Sequence, residues 1–494
     1  MTNFLQRIIK NKSHLFIFFI ILFLLVLKGY FVLDPDFGWY LQMGNLIRRI
    51  GIPKTDPFSY TMPGYPVIDH EWLSNVIISI VYSCSGMMGL VLVFVCLAVF
   101  SLYLQTRQKT KGIDLIILLT GVSVIISFFG VRVQVVSWFF FSLFVYILRK
   151  DKKNKLFILL PLFLLWVNMH GGFILGPVLF FFYFLDKYIK TKKITVIKKG
   201  VFVILIIILL SGLNPYGFRL VVEMIRQTAS PSLHLYISEW KPFYMIINIP
   251  FYLYSALVIM FLLKNRKTVS LFNVFLFVFL FSSALSSVRN FPLWIIGSMY
   301  FLLVQIDGVR IVATKVEGGV KRYAFFDRCL QLFLLLCVFL QVLIGGGDFY
   351  KFATNKVYPS KAVLFLKQKN LKGELFSVYG WGGYLIWHYP EKKVFIDGRM
   401  PSWSRNASSK QESNNAFEEW RNIISGKIKI KEVQKKYNIE AILVPTTQKM
   451  YVCKNPAKLE YFFQGLVGRE SEKDVFKNLK IIYQDNVATI YLLD

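Results

Sequence analysis

The chain has 494 residues, of which 55% are hydrophobic and 17% are charged, and its mean hydropathy is +0.52. Because soluble domains are about one quarter charged and disordered chains are poor in hydrophobic residues, this composition excludes a free soluble enzyme and a disordered chain. The net charge of +30 would favour a nucleic-acid partner in a soluble protein, but in a membrane protein basic residues mark loops. We therefore predict a polytopic membrane protein whose partners include membrane lipids and no nucleic acid.

Eleven apolar stretches follow one another along the chain. A membrane-spanning helix needs about 20 residues, and shorter helices are tolerated inside a bundle. The first stretch follows three basic residues and precedes no small-residue cleavage site, so we interpret it as an anchor helix and not as a removed signal peptide. We place the helices near 14–33, 87–105, 113–130, 133–148, 155–167, 172–186, 200–213, 243–263, 269–287, 291–306 and 328–345.

Basic clusters between the apolar stretches predict the orientation in the membrane. They lie at Arg7–Lys12, Arg107–Lys111, Arg149–Lys155, Lys187–Lys199, Lys264–Lys267 and Arg310–Arg328. With eleven helices, every cluster falls on the side of the N-terminus, which the positive-inside rule places in the cytoplasm. Merging 155–186 into one helix would move 187–199 to the other side, so we predict a helical hairpin interrupted at 168–172. The expected location is the cytoplasmic (inner) membrane, multi-pass, with the C-terminal domain outside.

Two long regions are predicted to lie outside the membrane. We expect residues 1–345 to form the transmembrane domain, with a long first outer loop at 34–72, and residues 346–494 to form a soluble extracytoplasmic α/β domain. In that domain the pattern predicts strands at 375–379, 393–396, 441–444, 481–483 and 488–492. Ser409 and Glu412 have capping-box spacing, which predicts the start of a helix, and a second helix is predicted at 429–437.

The first outer loop carries the carboxylates of greatest interest. Asp34 and Asp36 follow the first helix at the membrane interface, where an Asp is costly unless it is paired, solvated or functional. One of them also fits as the cap of a helix predicted at 37–50, and the two roles are compatible. Asp56 precedes a proline and favours a turn. His70 and Glu71 belong either to the cap of the segment at 72–84 or to a site.

Polar side chains also collect at the predicted outer ends of the helices. An arginine there suits a phosphate, because its planar guanidinium donates two parallel hydrogen bonds; the alternative for each arginine is anchoring to lipid headgroups. Candidate phosphate-binding residues are Arg132, Arg219 and Arg289. Candidate pocket residues are Asn168, His170, Glu239, Asp397 and Arg399, with His170 and Asp397 equally suited to turns because glycine follows each.

Taken in order, these motifs resemble the bacterial membrane glycosyltransferase-like proteins of the GT-C superfamily. The motifs are Asp34-x-Asp36, Gly51-x-Pro53-x-x-Asp56-Pro57-Phe58-Ser59-Tyr60, Glu71-Trp72-Leu73, Trp166-x-Asn168-x-His170-Gly171-Gly172, Asn214-Pro215-x-Gly217, Glu239-Trp240, Arg289-Asn290-x-Pro292, Gly382-Gly383-Tyr384-Leu385 and Asp397-Gly398-Arg399. The resemblance implies an enzyme that takes a sugar from a polyprenyl-phosphate-linked lipid at the outer membrane face. The acceptor would be a glycan, a lipid or a protein.

The resemblance also implies an aspartate of the first outer loop near the acceptor. We transfer that role to Asp36, with Asp34 as the rival. Relatives commonly have a Trp-His-Leu pattern where this chain has Trp39-Tyr40-Leu41, so a proton role of that histidine is absent or taken by Tyr40. Carboxylate oxygens suit Mg²⁺ or Mn²⁺, which makes a metal at Asp34 and Asp36 conceivable, but many members act without a metal and we assign no cofactor.

The chemistry implied by such an enzyme matches the residues. A leaving phosphate needs positive charge, which the arginines supply, and the attacking acceptor needs a base, which an aspartate supplies. The alternative functions are a transporter or flippase for a lipid-linked or anionic substrate, and a non-catalytic scaffold of the same fold. Transporters usually place charges near the middle of the membrane; the charges here collect at helix ends, which favours the transferase.

Overall fold

The structure is a computed structural model. It describes residues 12–106, 112–150, 156–246, 248–313, 356–407, 409–446 and 479–493, together with Phe476 and single residues between 325 and 339. The contacts divide the chain into two compact units. The helical unit comprises Met1–Val32, Met87–Phe218 and Glu239–Phe349, and the α/β unit comprises Leu33–Gly86, Arg219–Ser238 and Tyr350–Asp494. The α/β unit thus joins the first loop to the C-terminal segment.

The helices with described bounds are, in chain order, α1 Lys12–Phe31, α2 Phe37–Ile50, α3 Trp72–Gln105, α4 Gly112–Ile125, α5 Gln134–Lys150, α6 Leu156–Met169, α7 Leu175–Thr191, α8 Ile194–Ser211, α9 Arg219–Thr228, α10 Pro231–Tyr236, α11 Ile249–Lys264, α12 Leu271–Ser286, α13 Phe291–Ala313, α14 Ser360–Lys369, α15 Gly382–His388, α16 Ala416–Ile424 and α17 Ile430–Tyr437. The strands are β1 Glu374–Ser377, β2 Ile439–Pro445, β3 Lys480–Gln484 and β4 Ala488–Leu492.

Most predicted apolar stretches are helices. Each of the first ten coincides with a described helix, whereas the predicted helix at 328–345 lies outside the described residues apart from isolated positions. Among the described residues, three helical stretches have the length and apolar composition needed to cross a membrane: Trp72–Gln105, Gly171–Thr191 and Ile194–Ser211. The first is interrupted at Gly86, whose φ of 62° is open to glycine and strained for other residues, and the division between the units falls there.

The predicted break at 168–172 is confirmed. Helix α6 ends at Met169, His170 is extended with φ −165° and ψ 141°, and a short 3₁₀ turn over Gly171–Ile174 leads into α7. The Nδ1 atom of His170 accepts a hydrogen bond from the amide of Gly172 at 3.0 Å. The side chain therefore satisfies an amide that no helical carbonyl reaches at this break.

Stacked aromatic rings and one buried arginine hold the helical unit together. Phe251 and Phe291 stack with centroids 3.6 Å apart, which joins α11 to the start of α13. Near the end of α5, Arg149 donates to three oxygens on three other helices. The acceptors are Gln105 Oε1 on α3, Asn273 Oδ1 on α12 and the carbonyl of Gly297 on α13, at 2.9, 3.1 and 2.6 Å. Since a buried guanidinium needs several acceptors, these helices must assemble together.

The sheet of the α/β unit has four strands in the order β1-β2-β4-β3. Strands β1 and β2 are parallel, and the other pairs are antiparallel. Its centre is apolar: Phe376, Ile442, Leu443 and Ile490 are fully buried. The predicted strands near 375, 441, 481 and 488 are present, and so is the predicted helix at 429–437, as α17.

Two predictions for this unit are wrong. Residues 393–396 form no strand, because Val394 instead exchanges backbone hydrogen bonds with the first loop, at Phe58 O and Tyr60 N. Ser409 and Glu412 do not begin a helix. Helix α16 begins at Ala416, where the side chain of Asn415 accepts the capping hydrogen bond from the amide of Glu418. Glu412 is instead paired with Arg405.

The first loop and the C-terminal segment meet at glycines that lie backbone to backbone. A Cβ atom added at Gly38, in α2, would lie 1.8 Å from the carbonyl oxygen of Gly383, in α15. A Cβ atom at Gly383 would lie 2.1 Å from the carbonyl oxygen of Pro35. Both contacts oppose rigid backbone atoms, so neither glycine can be enlarged without separating α2 from α15.

We predict that Gly38→Ala destabilises the protein by about 3 kcal/mol or more, because the methyl group must displace a backbone carbonyl. Thermal unfolding of the purified full chain, followed by near-ultraviolet circular dichroism, measures this change. The matched control is Gly380→Ala, where an added Cβ meets nothing within 4 Å. Equal unfolding temperatures for the two variants would contradict the packing of α2 on α15.

Candidate active site

A buried ion-pair group lies in the α/β unit, and we call its three residues, Asp56, Asp397 and Arg399, the Arg399 cluster. The Nε and Nη2 atoms of Arg399 donate to the two carboxylate oxygens of Asp397 at 2.8 and 2.6 Å. Its Nη1 atom lies 2.9 Å from Oδ1 of Asp56. The Arg399 side chain is 7% exposed and both aspartates are fully buried. One guanidinium is thus shared by two buried carboxylates.

The surroundings of Arg399 explain why it stays charged. Burial alone would lower its pKa, but Asp397 and Asp56 raise the pKa above its ordinary value. The guanidinium also faces the rings of Phe58, Trp403 and Trp39, at 5.0, 5.2 and 5.8 Å from their centroids. Cation–π contact adds to the ion pairs in such a desolvated place.

The two aspartates of the cluster also shape the backbone. Asp56 accepts hydrogen bonds from the amides of Phe58 and Ser59, and Asp397 accepts one from the amide of Arg399. The turns predicted at these two positions are therefore present. Both carboxylates therefore hold the local backbone in place. For Asp397 this is the turn role, and the pocket role was the predicted alternative.

The predicted catalytic carboxylates lie beside this cluster. A Cβ atom added at Gly398 would come within 1.8 Å of Oδ1 of Asp36, so the Asp36 carboxylate lies directly on the glycine that precedes Arg399. Asp34 is buried, and its Oδ1 accepts a hydrogen bond from the amide of Asp36 at 2.9 Å. Asp36 occupies the N-cap position of α2 without a side-chain capping hydrogen bond. Of the two, Asp36 is the more exposed, which favours it as the reacting group.

A second acidic group surrounds His70 in the same unit. Its Nε2 atom lies 3.2 Å from Oε1 of Glu71. Burial alone would lower the pKa of His70, but Glu71 and Asp69 raise it above its ordinary value. Burial, reinforced by the charge of Glu71, raises the pKa of Asp69 to about 6. Asp69 also accepts hydrogen bonds from the amide of Glu71 and from Nδ2 of Asn75, both at 2.9 Å.

The helical unit gathers a different set of charges, the Glu239 cluster, which consists of Arg132, Glu239 and Arg289. Nη2 of Arg132 lies 2.5 Å from Oε2 of Glu239. Arg289 lies over the ring of Trp240, 4.1 Å from its centroid. Burial alone would raise the pKa of Glu239, but Arg132 and Arg289 lower it below its ordinary value. Both cations therefore act on one carboxylate.

Short loops position these three side chains. Arg132 precedes α5, Glu239 lies in a 3₁₀ turn over Ser238–Trp240, and Arg289 lies in another over Val288–Asn290. The two turns are joined by backbone: the amide of Val288 donates to the carbonyl of Lys241 at 3.0 Å, and Ser287 Oγ donates to the carbonyl of Glu239 at 3.2 Å. This pairing of turns brings Arg289 to Trp240, the residue that follows Glu239.

The histidine segment at 166–172 also influences the charge of Glu239. His170 is buried. A positive charge on its ring would lower the pKa of Glu239. Its Nδ1 atom lies 2.6 Å from Oγ of Ser137. The same Ser137 oxygen accepts from Nε1 of Trp166 at 2.8 Å. Asn168 donates to the carbonyls of Leu164 and Leu213. His170 thus caps the predicted turn and also affects the pKa of Glu239. The described hydrogen bonds of Asn168 go to backbone carbonyls.

The predicted site residues are therefore divided between the units. The helical unit holds Arg132, Asn168, His170, Glu239 and Arg289, and the α/β unit holds Asp34, Asp36, Asp56, His70, Glu71, Arg219, Asp397 and Arg399. Arg219 is exposed at the start of α9 and belongs to the α/β unit, whereas the other two predicted phosphate ligands belong to the helical unit. The sequence analysis missed Ser137, since a lone serine in an apolar helix gives no signal. It also missed the stacking of Trp240 on Arg289, which the Glu-Trp-Lys order could have suggested.

Metal binding finds little support in the described part of the chain. No three His, Cys, Asp or Glu side chains come together there in an arrangement that could hold a metal ion. Asp34 and Asp36 offer two carboxylates, and one of them already accepts a backbone amide. We therefore assign no step of the reaction to a metal.

Comparisons with known proteins identify the fold. No protein-family model and no curated protein matches the sequence. Among solved structures, the oligosaccharyltransferase AglB from Archaeoglobus fulgidus, in complex with an inhibitory peptide and a dolichol-phosphate, superposes with a TM-score of 0.58 at 11% identity, over 88% of this chain and 69% of AglB. An A. fulgidus oligosaccharyltransferase tethered to an acceptor peptide gives 0.51 at 11% identity, over 89% and 70%. ArnT from Cupriavidus metallidurans, bound to undecaprenyl phosphate, gives 0.47 at 10% identity, over 97% of both chains.

The chain has the fold of the GT-C membrane glycosyltransferases, as the sequence motifs predicted. This assignment depends on the two A. fulgidus structures, whose TM-scores exceed 0.5. The apolar, membrane-length helices of the described residues agree with the predicted membrane protein. Fold alone does not fix the reaction, so the activity has to be argued from the side chains.

We predict that Arg399→Met destabilises the protein by about 3–5 kcal/mol at neutral pH, because two buried carboxylates lose their cation. Thermal unfolding of the purified full chain at neutral pH measures this loss. The control is Arg421→Met, which removes a cation from the ring of Tyr236 in the same unit. An equally small loss of stability in the two variants would contradict the role of the Arg399 cluster.

Proposed function

We propose that this protein is a GT-C glycosyltransferase that moves a sugar from a polyprenyl-phosphate-linked donor to an acceptor at the outer face of the cytoplasmic membrane. The proposal is carried by the placement of two arginines at the Glu239-Trp240 turn: Arg132 pairs with Glu239 at 2.5 Å, and Arg289 lies over the ring of Trp240. Two guanidinium groups at adjacent residues of one turn in a membrane protein form a site for an anion.

The donor phosphate is the anion that this site suits. Arg132 and Glu239 are only 19% and 23% exposed, so an ion pair there is screened less by water than one at the surface. In our proposal Glu239 balances one of the two arginine charges. The donor phosphate supplies the second negative charge, and its several oxygens can accept hydrogen bonds from both guanidinium groups.

The same charges would assist the reaction. As the sugar is transferred, the bond between its anomeric carbon and the phosphate oxygen breaks, and the phosphate leaves with the electron pair. Fixed guanidinium groups stabilise the negative charge that grows on that oxygen. Stabilisation that increases along the reaction speeds the chemical step, whereas uniform binding of the donor does not.

The acceptor side of the reaction is assigned to Asp36. The acceptor oxygen or nitrogen forms the new bond to the anomeric carbon and gives up a proton, which a carboxylate can accept. Asp36 is more exposed than Asp34 and lies on Gly398. Asp34 positions it, because the Asp34 carboxylate holds the amide of Asp36.

The solved structures are consistent with this class of donor. AglB was captured with a dolichol-phosphate and an inhibitory peptide, so a fold of this type accommodates both a polyprenyl phosphate and an acceptor analogue. For this chain we propose the class of donor, a polyprenyl-phosphate-linked sugar. For the acceptor, a glycan, a lipid and a protein all remain within the proposal.

We predict that Arg289→Ala weakens the binding of undecaprenyl phosphate by about tenfold, which corresponds to about 1.4 kcal/mol and to the loss of one charged hydrogen bond. Native mass spectrometry of the purified full chain in nanodiscs measures the fraction with bound lipid. The matched control is Arg421→Ala, because Arg421 also lies over an aromatic ring, that of Tyr236. Equal binding by wild type and Arg289→Ala would exclude the Glu239 cluster as the phosphate site.

A further inference from the structure

Helix α9, Arg219–Thr228, leaves two large apolar side chains exposed. Val222 and Ile225 are 64% and 60% exposed. The buried side of the helix consists of Leu220 and Met224 together with Glu223, which is 8% exposed. Water-facing helices bury their apolar stripe and expose polar side chains. The exposed apolar pair therefore indicates that this side of α9 meets a medium less polar than water.

The polar side chains of α9 form hydrogen bonds and an ion pair inside the α/β unit. Glu223 pairs with Arg226 at 3.6 Å and accepts a hydrogen bond from Gln227 at 3.3 Å. Arg226 in turn donates to the hydroxyl of Tyr65 and to the carbonyl of Ser402. These contacts fix the rotation of the helix about its axis. Val222 and Ile225, three residues apart and hence on one face, are held outward.

The chain order limits how far α9 can lie from the membrane. Helix α8, which is long and apolar enough to span, ends at Ser211, eight residues before Arg219. Eight residues reach at most about 29 Å when fully extended, and a turn closed by Asn214 O and Gly217 N shortens this segment. The start of α9 therefore stays near the end of a membrane-length helix.

Exposed apolar side chains continue along the sequence from α8 into α9. In order they are Leu205, Ile208, Leu209, Leu213, Phe218, Val222 and Ile225, each at least 49% exposed. No charged residue occurs between Lys199 and Arg219. Arg219 itself is exposed and lies three residues before Val222, on the same face. An arginine beside an apolar stripe is typical of helices at a lipid surface, where the guanidinium reaches the phosphates.

We propose that α9 is an interfacial helix that inserts Val222 and Ile225 into the lipid bilayer at the boundary between headgroups and acyl chains, with Arg219 bound to lipid phosphate. The partner is the bilayer itself. This role differs from donor binding, and it gives Arg219 a task apart from Arg132 and Arg289. It also holds the α/β unit at the membrane surface through Glu223, Arg226 and Tyr65.

The test places a fluorescent label on single cysteines at Val222→Cys and Ile225→Cys in the full chain, after the five native cysteines are replaced. Labelled protein is reconstituted in nanodiscs that contain a nitroxide lipid quencher, and iodide is the aqueous quencher. The control is Glu432→Cys, an exposed position of α17 in the same unit. Thermal unfolding of each variant confirms that it is folded.

We expect the lipid quencher to reduce fluorescence at Val222→Cys and Ile225→Cys several-fold more than at Glu432→Cys, and iodide to show the opposite order. Iodide quenching equal to that at Glu432→Cys would overturn the proposal, because α9 would then face water. Protection from both quenchers, with energy transfer between labels on two molecules, would also overturn it by showing that a second copy of the chain covers the helix.

Discussion

The α/β unit depends on the pairing of two buried aspartates with one arginine. Asp56 comes from the first loop, and Asp397 and Arg399 come from the C-terminal segment, more than 300 residues later. An unpaired buried charge is costly, so these distant segments must come together for either to bury its charges. The close backbone contacts of Gly38 and Gly383 have the same effect. As a consequence, Asp36 is held against Gly398 in a fixed position.

In the helical unit the ratio of cations to carboxylates is reversed, and the proposed chemistry depends on this difference. In the Arg399 cluster one cation serves two carboxylates, which leaves no net positive charge for a ligand. In the Glu239 cluster two cations act on one carboxylate, so an anion can be added without leaving a buried charge unbalanced. Donor phosphate is therefore assigned to the helical unit. Arg219, which shared the same prediction, is exposed at the start of α9 in the other unit.

The sequence predicted the helices and most strands because long apolar stretches and alternating patterns are local properties. It failed at 393–396, where an apolar run pairs with the first loop, since pairing of distant segments leaves no local signal. Asp56 and Arg399 were both recognised as polar candidates, but their mutual pairing could not be read from residues so far apart. Likewise, Arg132, Glu239 and Arg289 were each identified at helix ends, whereas their convergence depends on two 3₁₀ turns that only the structure shows.

The central claim is that this chain transfers sugar and that Asp36 accepts the proton. Its most direct test measures release of polyprenyl phosphate from a synthetic polyprenyl-phosphate sugar by the full chain in membranes that supply glycan, lipid and protein acceptors. We expect the wild type to release polyprenyl phosphate. In Asp36→Asn the rate of release should fall by at least about 10²-fold, the factor typical of a lost general base. In Asp34→Asn the rate should fall by less. Unchanged release by a folded Asp36→Asn variant would contradict the account.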